Sequence, residues 1–176
     1  MTQPEAPAIE SHVLTDDGTI PNSALPLIVY RGAFDVGAGA PEETIRARFA
    51  ANGWGNAWVS TIYPYHHYHS TAHEVLGIAR GRVEVALGGP KGIVATLHAG
   101  DAVLIPAGVG HCRLSPDRGL AVVGAYPRNA PDWDLLRATP ASRVTALANL
   151  PHVPLPETDP VLGEDGPVGE AWKGGA

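Results

Sequence analysis

The region from Trp58 to Tyr126 constrains the fold most, because it consists of short apolar runs that glycine and proline separate at close spacing. Within it, VLGIARGRVEVAL predicts two strands joined as a hairpin about Arg80 and Gly81. Alternate apolar residues of the second strand share one face: Val83, Val85 and Leu87. This alternation is typical of strands that bury one side.

Two later segments continue the same pattern. The runs GIVATLHAGDAVLIPAGVGHCRL and GLAVVGAYP each supply further short strands, with tight turns at their glycines and prolines. Many short strands at regular spacing favour an antiparallel sandwich or barrel of the jelly-roll kind. The sequence therefore predicts an all-β fold.

One early segment has the pattern of a helix. APEETIRARFAANGW carries a proline and two glutamates in its first turn, and Ile45 and Phe49 stand four residues apart on one face. A strand, LPLIVYRGAF, precedes this helix, and APDWDLLRATP is interpreted as a short helix near the end of the domain.

The length of 176 residues suits one domain with terminal extensions. Residues 1–16 are predicted to be a flexible N-terminal segment, and residues 17–150 a single domain whose core motifs lie within 63–126. Residues 151–176 are rich in proline and glycine, so we expect an irregular C-terminal tail that packs on the barrel or on a partner subunit.

Composition narrows the classes of partner. A net charge of −6, from 18 acidic and 12 basic residues, provides no basic stripe for nucleic acid. No apolar run approaches the length of a membrane span, and the first residues lack a signal-peptide profile, so we expect a cytoplasmic protein. The single cysteine, Cys112, cannot form an internal disulfide and is expected to point to the outer face of its strand.

The segment YPYHHYHSTAHEVLG holds four of the eight histidines in the chain. His67 and His69 are two residues apart, so both side chains project from one face of a strand and form a chelating pair. Glu74 follows His69 by an odd interval, and a bend in the intervening STAH segment would return its carboxylate to the same side.

His111 begins a later predicted strand that can fold back toward this cluster. Three imidazoles and one carboxylate suit one divalent transition metal per chain, whether iron, manganese, nickel, cobalt, copper or zinc. The alternative is a metal-free site in which the histidines only form hydrogen bonds.

Further residues are candidates for contact with the ligands or with a substrate: Tyr65, His66, His73, Arg113 and Tyr126. Arg113 lies two residues beyond His111, and its guanidinium could bind a substrate carboxylate. The more common alternative is that Arg113 meets solvent or an aspartate at the rim of the barrel. The catalytic residues stay unknown at this level.

The spacing of these residues resembles the two signature motifs of the cupin superfamily. The first motif matches His67, His69, Glu74 and Gly81, and the second matches Gly100, Pro106, Gly108 and His111. The second motif commonly ends in asparagine, where this chain has Ser115. The wider chain, including ANGWGNAW and the PLPETDPVLGEDGP tail, resembles a small subfamily of uncharacterised bacterial single-domain cupins.

The resemblance implies a cupin double-stranded β-helix, a jelly-roll barrel, with one N-terminal helix. It also implies a divalent metal held by His67, His69, Glu74 and His111, and a homodimer. A shared fold does not supply a reaction. We expect a metal-dependent protein that acts on a small molecule, such as a dioxygenase or an isomerase, and the alternative is a non-catalytic module that binds a small molecule or metal.

Overall fold

The computed structural model describes residues 5–37, 39–130 and 132–174. In chain order, the strands of these residues are β1 (Ala8–Leu14), β2 (Ser23–Arg31), β3 (Trp54–Ser60), β4 (His67–Tyr68), β5 (Glu74–Arg80), β6 (Arg82–Leu87), β7 (Ile93–His98), β8 (Ala102–Ile105), β9 (His111–Arg113), β10 (Ala121–Pro127) and β11 (Leu136–Arg137). The helices are α1 (Pro41–Ala51), α2 (Pro140–Asn149) and α3 (Pro167–Ala171), and a 3₁₀ turn spans Leu150–His152.

The strands form two antiparallel sheets that enclose the core. One sheet has six strands in the order β1-β2-β8-β5-β10-β3, and the other has five in the order β11-β4-β9-β6-β7. This arrangement confirms the all-β fold of the jelly-roll kind. The predicted barrel is not closed, because the described strands pair within each sheet and not between the two.

The alternation of side chains along the strands matches the sequence pattern. The interior between the sheets contains Leu76 and Ile78 from β5 together with the predicted β6 face of Val83, Val85 and Leu87. The opposite face of β5 packs against α1, whose residues Ile45 and Phe49 are buried as the four-residue spacing predicts. Strand β5 is thus apolar on both faces.

The hairpin predicted about Arg80 and Gly81 is wrong. Strand β5 pairs with β8 and β10, whereas β6 pairs with β7 and β9, so the chain crosses between the sheets at Gly81. A single intervening residue is shorter than the two-residue loop of a tight hairpin. Gly81 has a φ of 81°, and a Cβ there would lie 2.8 Å from the carbonyl oxygen of Gly119, so the crossing requires glycine.

The end of the domain also differs from the prediction. The segment interpreted as a short helix contains strand β11, and helix α2 begins only at Pro140. Thr139 caps this helix by accepting a hydrogen bond of 3.1 Å from the Ser142 backbone N–H. A proline suits the first helical turn but disfavours a helical residue before it, which explains the later start.

The N-terminal segment predicted to be flexible contains β1, which pairs with β2 from Ala8 to Leu14. The flexible description is therefore wrong for these seven residues. Most residues of β1 are exposed on both faces, as in many edge strands. Its sequence therefore lacks the apolar alternation by which a half-buried strand is recognised.

The C-terminal tail lies on the outer face of the six-stranded sheet and contains helix α3. The Trp172 indole N–H donates to the Pro26 carbonyl at 2.9 Å, and the Trp54 indole N–H donates to the Thr158 carbonyl at 3.0 Å. The tail therefore packs on its own subunit, through buried aromatic residues that each satisfy their polar atom.

A buried hydrogen bond between Tyr30 and Asp159 joins the tail to β2, with 2.6 Å between the phenol oxygen and the carboxylate Oδ2. Both side chains are buried, so Tyr30→Phe leaves a carboxylate oxygen without its donor. We expect the free energy of unfolding to fall by about 2 kcal/mol, measured by chemical denaturation. Tyr63→Phe, at an exposed tyrosine, is the matched control, and equal midpoints for the two variants would contradict the prediction.

Candidate metal centre

Three imidazoles meet in the interior of the sandwich. His67 lies in β4 opposite His111 of β9, and their ring centroids are 4.1 Å apart. His69 follows β4 directly, and one ring nitrogen of each histidine lies within 4.8 Å of the others. All three side chains are buried, and imidazole is a ligand that suits transition metals.

Glu74 joins this cluster because the chain bends at Ser70 and Thr71 before β5 begins. Its Oε2 atom lies 3.2 Å from His69 Nε2 and 3.0 Å from His111 Nε2. The structure therefore brings together the four predicted ligands, and the carboxylate contacts two of the three imidazoles.

The hydrogen bonds of the histidine Nδ1 atoms fix the orientation of the rings. Each Nδ1 lies against a backbone carbonyl: His67 with Tyr65 at 2.9 Å, His111 with Val109 at 3.2 Å, and His69 with Asp134. An Nδ1–H that donates to a carbonyl leaves the Nε2 lone pair free. The ring nitrogens that face one another are thus those able to bind a cation, and the donor set of three nitrogens and one carboxylate fits a divalent transition metal.

The charges of the cluster support the same conclusion. Burial, aided by the nearby His111, lowers the pKa of His67 to about 3, so this imidazole is neutral. Burial alone would raise the pKa of Glu74, but His69 and His111 outweigh it and the pKa is lowered. Burial would likewise lower the pKa of His69, but Glu74 outweighs it and raises the pKa. A bound cation would displace the proton that lies between His69 and Glu74.

Tyr126 extends the cluster beyond Glu74, and its ring meets the His69 ring edge-on with 5.9 Å between centroids. Its hydroxyl donates to Glu74 Oε1 at 3.0 Å and accepts from the Trp58 indole N–H at 3.0 Å. Burial and the Glu74 charge raise the pKa of the Tyr126 phenol, so the phenol keeps its proton and remains a donor. The carboxylate thus has one oxygen held by a tyrosine and the other turned to the histidines.

A cavity of about 260 Å³ opens above this cluster. The cluster and two buried apolar side chains, Ile62 and Leu76, form its floor, whereas Tyr63, Trp133 and Leu135 stand exposed at its rim. Its remaining lining residues are Trp58, Ser60, Thr61 and Tyr126. A small molecule that enters from solvent would therefore meet the four predicted ligands at the end of an apolar pocket.

Four of the five additional candidates do not reach this cavity. Tyr65 does not line the cavity: its ring stacks on Tyr63 and lies under the Arg137 guanidinium, and its backbone carbonyl accepts from His67. His66 is half-buried and does not line the cavity. Of the five candidates, Tyr126 alone forms a hydrogen bond to a predicted ligand through its side chain, whereas the Tyr65 ring meets His67 edge-on with 5.6 Å between centroids.

Arg113 does not line the cavity, so the structure gives no support to its predicted contact with a substrate carboxylate. Its guanidinium donates to the carbonyls of Ile62 at 2.9 Å and Ser115 at 2.6 Å, and it approaches Asp117 at 3.3 Å. The strand ends at Arg113, so the long side chain turns to the backbone at the rim. The alternative of a rim arginine that meets an aspartate agrees with this placement.

Sequence reasoning missed Asp134. Its carboxylate accepts hydrogen bonds from the Ser70 backbone N–H at 2.6 Å and the Ser70 hydroxyl at 2.5 Å, and from the Thr71 backbone N–H at 3.2 Å. Asp134 therefore fixes the bend that places Glu74, and its own carbonyl accepts from His69. Because 64 positions separate Asp134 from Ser70 along the chain, no local pattern could indicate this contact.

His73 lies apart from the cavity, with its Nδ1 accepting from the Ala107 backbone N–H at 2.9 Å. Burial lowers its pKa to about 4, and the nearby Pro154 carbonyl offsets only part of that shift. In the unfolded chain His73 binds a proton below about pH 6.5, whereas in the folded chain it binds one only below about pH 4. The free energy of unfolding therefore falls as the pH drops from 6.5 to 4.

We expect His73 to contribute a loss of about 1.4 kcal/mol of unfolding free energy per pH unit within that window. Denaturation of the metal-free protein between pH 7 and 4 measures it, compared with His73→Gln, whose amide oxygen can accept from Ala107 but does not titrate. His152→Gln, at an exposed histidine, serves as control. Parallel curves for the wild type and His73→Gln would contradict this assignment.

Comparisons with known proteins give a consistent set of relatives. Residues 59–117 match the family described as Cupin domain. The uncharacterized protein YjlB of Bacillus subtilis (strain 168) is 40% identical over 165 residues, which cover 93% of this chain and 96% of the relative. No helix in the described ranges is both long enough and apolar enough to cross a membrane.

Two solved structures illustrate the structural likenesses. An acireductone dioxygenase from Bacillus anthracis, with cadmium in its active centre, is 22% identical with a TM-score of 0.37. The match covers 48% of this chain and 57% of that one. A cupin 2 domain-containing protein from Halorhodospira halophila is 12% identical with a TM-score of 0.35, over 85% of this chain and 81% of that one. At such TM-scores, neither likeness carries an argument about activity.

Proposed function

The chain belongs to the cupin superfamily, and on that premise we propose that it is a metal-dependent protein that acts on a small molecule in the cavity above His67, His69, Glu74 and His111. The observation that carries this proposal is the convergence of three imidazole nitrogens and a carboxylate oxygen at the floor of an apolar cavity open to solvent. The predicted homodimer and cytoplasmic location stay predictions.

The four floor residues would hold one divalent transition metal through the three Nε2 atoms and Glu74 Oε2. A metal bound there would supply Lewis-acid chemistry, polarising a substrate oxygen or acidifying a bound water. Iron, manganese or copper would add the capacity for redox chemistry.

The residues of the chain have separate tasks in this proposal. The carbonyls that hold the histidine Nδ1 atoms keep the rings in place before any ligand arrives. Tyr126 holds the second oxygen of Glu74, which keeps that carboxylate from rotating away from His69 and His111. Ile62 and Leu76 exclude water from the floor, so charges there act in a medium of low dielectric constant.

The test is to load the protein with iron, manganese, nickel, cobalt or zinc and incubate each form with a mixture of small metabolites. Mass spectrometry then measures which compound disappears. We expect conversion by at least one metal form and none by His69→Ala. Incorporation of both atoms of dioxygen into the product would indicate a dioxygenase, and conversion to a compound of equal mass without dioxygen would indicate an isomerase.

The second candidate function is a non-catalytic module that binds the small molecule. One observation favours it: among the described residues that line the cavity, Glu74 is the only carboxylate, and His66, His73 and Arg113 all lie outside. Every imidazole and carboxylate among those residues is therefore a predicted metal ligand. Metal-dependent binding of a compound that is never converted would support this candidate and overturn the enzymatic one.

A further inference from the structure

We propose that the small molecule combines an oxygen-bearing group that binds the metal with an uncharged, flat apolar group that lies against an aromatic wall. The aromatic wall consists of Trp58, Tyr126 and Trp133. This inference rests on the proposed function, because it names the class of molecule that the same cavity takes.

The three rings of the aromatic wall are held against one another beside the predicted ligands. The Trp133 indole stacks on the Tyr126 ring, with centroids 5.2 Å apart and planes 14° apart. It also meets the edge of His69 at 5.5 Å between centroids. The Trp58 indole N–H donates to the Tyr126 hydroxyl at 3.0 Å, which fixes the third ring. An apolar ring next to the metal-binding oxygens would thus contact aromatic surface.

Gly124 makes room for the aromatic wall. In the pairing of β10 with β3, Gly124 lies opposite Trp58. A Cβ at position 124 would stand 2.1 Å from Cζ2 of the Trp58 indole, a distance that rigid aromatic atoms cannot accommodate. Glycine usually weakens the interior of a strand. Here the Trp58 indole fills the space that a side chain at position 124 would occupy, and it also lines the cavity.

The charges that line the cavity disfavour an anionic group on the part of the molecule remote from the metal. Among the described residues that line it, none is lysine or arginine, and the carboxylate is that of Glu74. Arg113, which the sequence suggested as a partner for an anion, is held by the carbonyls of Ile62 and Ser115, and Arg137 lies over the Tyr65 ring. A carboxylate or phosphate on the part of the molecule remote from the metal would therefore lose its hydration without gaining a cation.

The position of Trp133 is set before a ligand enters. Its neighbour Asp134 is anchored to the backbone N–H groups of Ser70 and Thr71, although the Trp133 side chain itself is 42% exposed. An exposed indole on an anchored backbone offers contact area that needs little further ordering on binding.

Three chelators that share the same two metal-binding oxygens test the inference: acetohydroxamic acid, benzohydroxamic acid and 4-carboxybenzohydroxamic acid. Each is titrated into the cobalt-loaded protein, and the visible absorption of cobalt reports binding without any need for turnover. We expect benzohydroxamic acid to bind about tenfold tighter than acetohydroxamic acid, because its phenyl ring gains aromatic contact. The carboxylated probe should bind more weakly than benzohydroxamic acid.

Variants locate the preference on the aromatic wall. Trp133→Ala should remove most of the preference for the phenyl probe while cobalt and acetohydroxamic acid bind as before, and Trp133→Phe should restore it. Val144→Ala, at an exposed apolar residue outside the cavity, is the control.

The outcomes separate this inference from the proposed function. A protein that binds no cobalt overturns both. Three outcomes in a protein that does bind cobalt overturn the inference: equal affinity for the two uncharged probes, no change in the cobalt absorption with either, or tighter binding of the carboxylated probe. Each of them leaves the metal site unaffected.

Discussion

Replacing both His67 and His111 with alanine is expected to remove all of the bound transition metal, from about one equivalent per wild-type chain to none. The two residues face each other across β4 and β9, and each turns its Nε2 toward the cluster while its Nδ1 lies against a backbone carbonyl. Their loss leaves one imidazole and one carboxylate, too few donors to hold a transition metal against water. Elemental analysis of purified, untagged protein measures the metal content.

The control for this result replaces two histidines that lie outside the cluster. His98 has a mostly exposed side chain and His152 is exposed, so His98→Ala with His152→Ala removes the same number of imidazoles from the surface. This variant should keep its metal. Circular dichroism shows whether the His67 and His111 variant still folds. A folded variant that retains the metal would refute the assignment, as would a wild-type protein that refuses added iron, manganese, nickel and zinc.

The four cluster residues could be found from the sequence because their positions follow from local rules. Side-chain alternation places His67 and His69 on one side of the chain, and the small or polar residues after them permit the bend that returns Glu74. The interior face of β6 was predictable for the same reason. Side-chain alternation does not predict where the Arg113 guanidinium lies, because the strand ends at Arg113 and its long side chain turns to the rim.

Contacts between distant parts of the chain had no comparable signal. The crossing at Gly81 resembles a hairpin in sequence, and only the partners of β5 and β6 distinguish the two. Asp134 lies in a segment that was interpreted as a short helix, and the pairing of Leu136 with Tyr68 forms a strand there instead. The aromatic wall also depends on such pairing, since Gly124 and Trp58 meet only in the sheet.

Asp134→Ala is expected to lower both the stability of the protein and its affinity for metal. The carboxylate accepts from the backbone N–H groups of Ser70 and Thr71 and from the Ser70 hydroxyl, so its removal leaves these donors without partners. Hydrogen bonds to a charged group are strong, and we expect the free energy of unfolding to fall by about 3 kcal/mol. Chemical denaturation of the metal-free protein measures this change.

The loss of metal affinity follows from the position of Asp134 between two predicted ligands. Its carbonyl accepts from His69, and its carboxylate holds the bend that leads to Glu74, so a loosened segment misplaces both. Changes in groups that orient ligands typically weaken binding by about 10- to 100-fold, which competition with a chelator can measure. Asp132→Ala is the matched control, because its exposed carboxylate lies two residues away while its carbonyl still accepts from Thr71. If Asp134→Ala and Asp132→Ala bind metal equally well, the bend does not depend on the Asp134 carboxylate and the four ligands are held by the sheets alone.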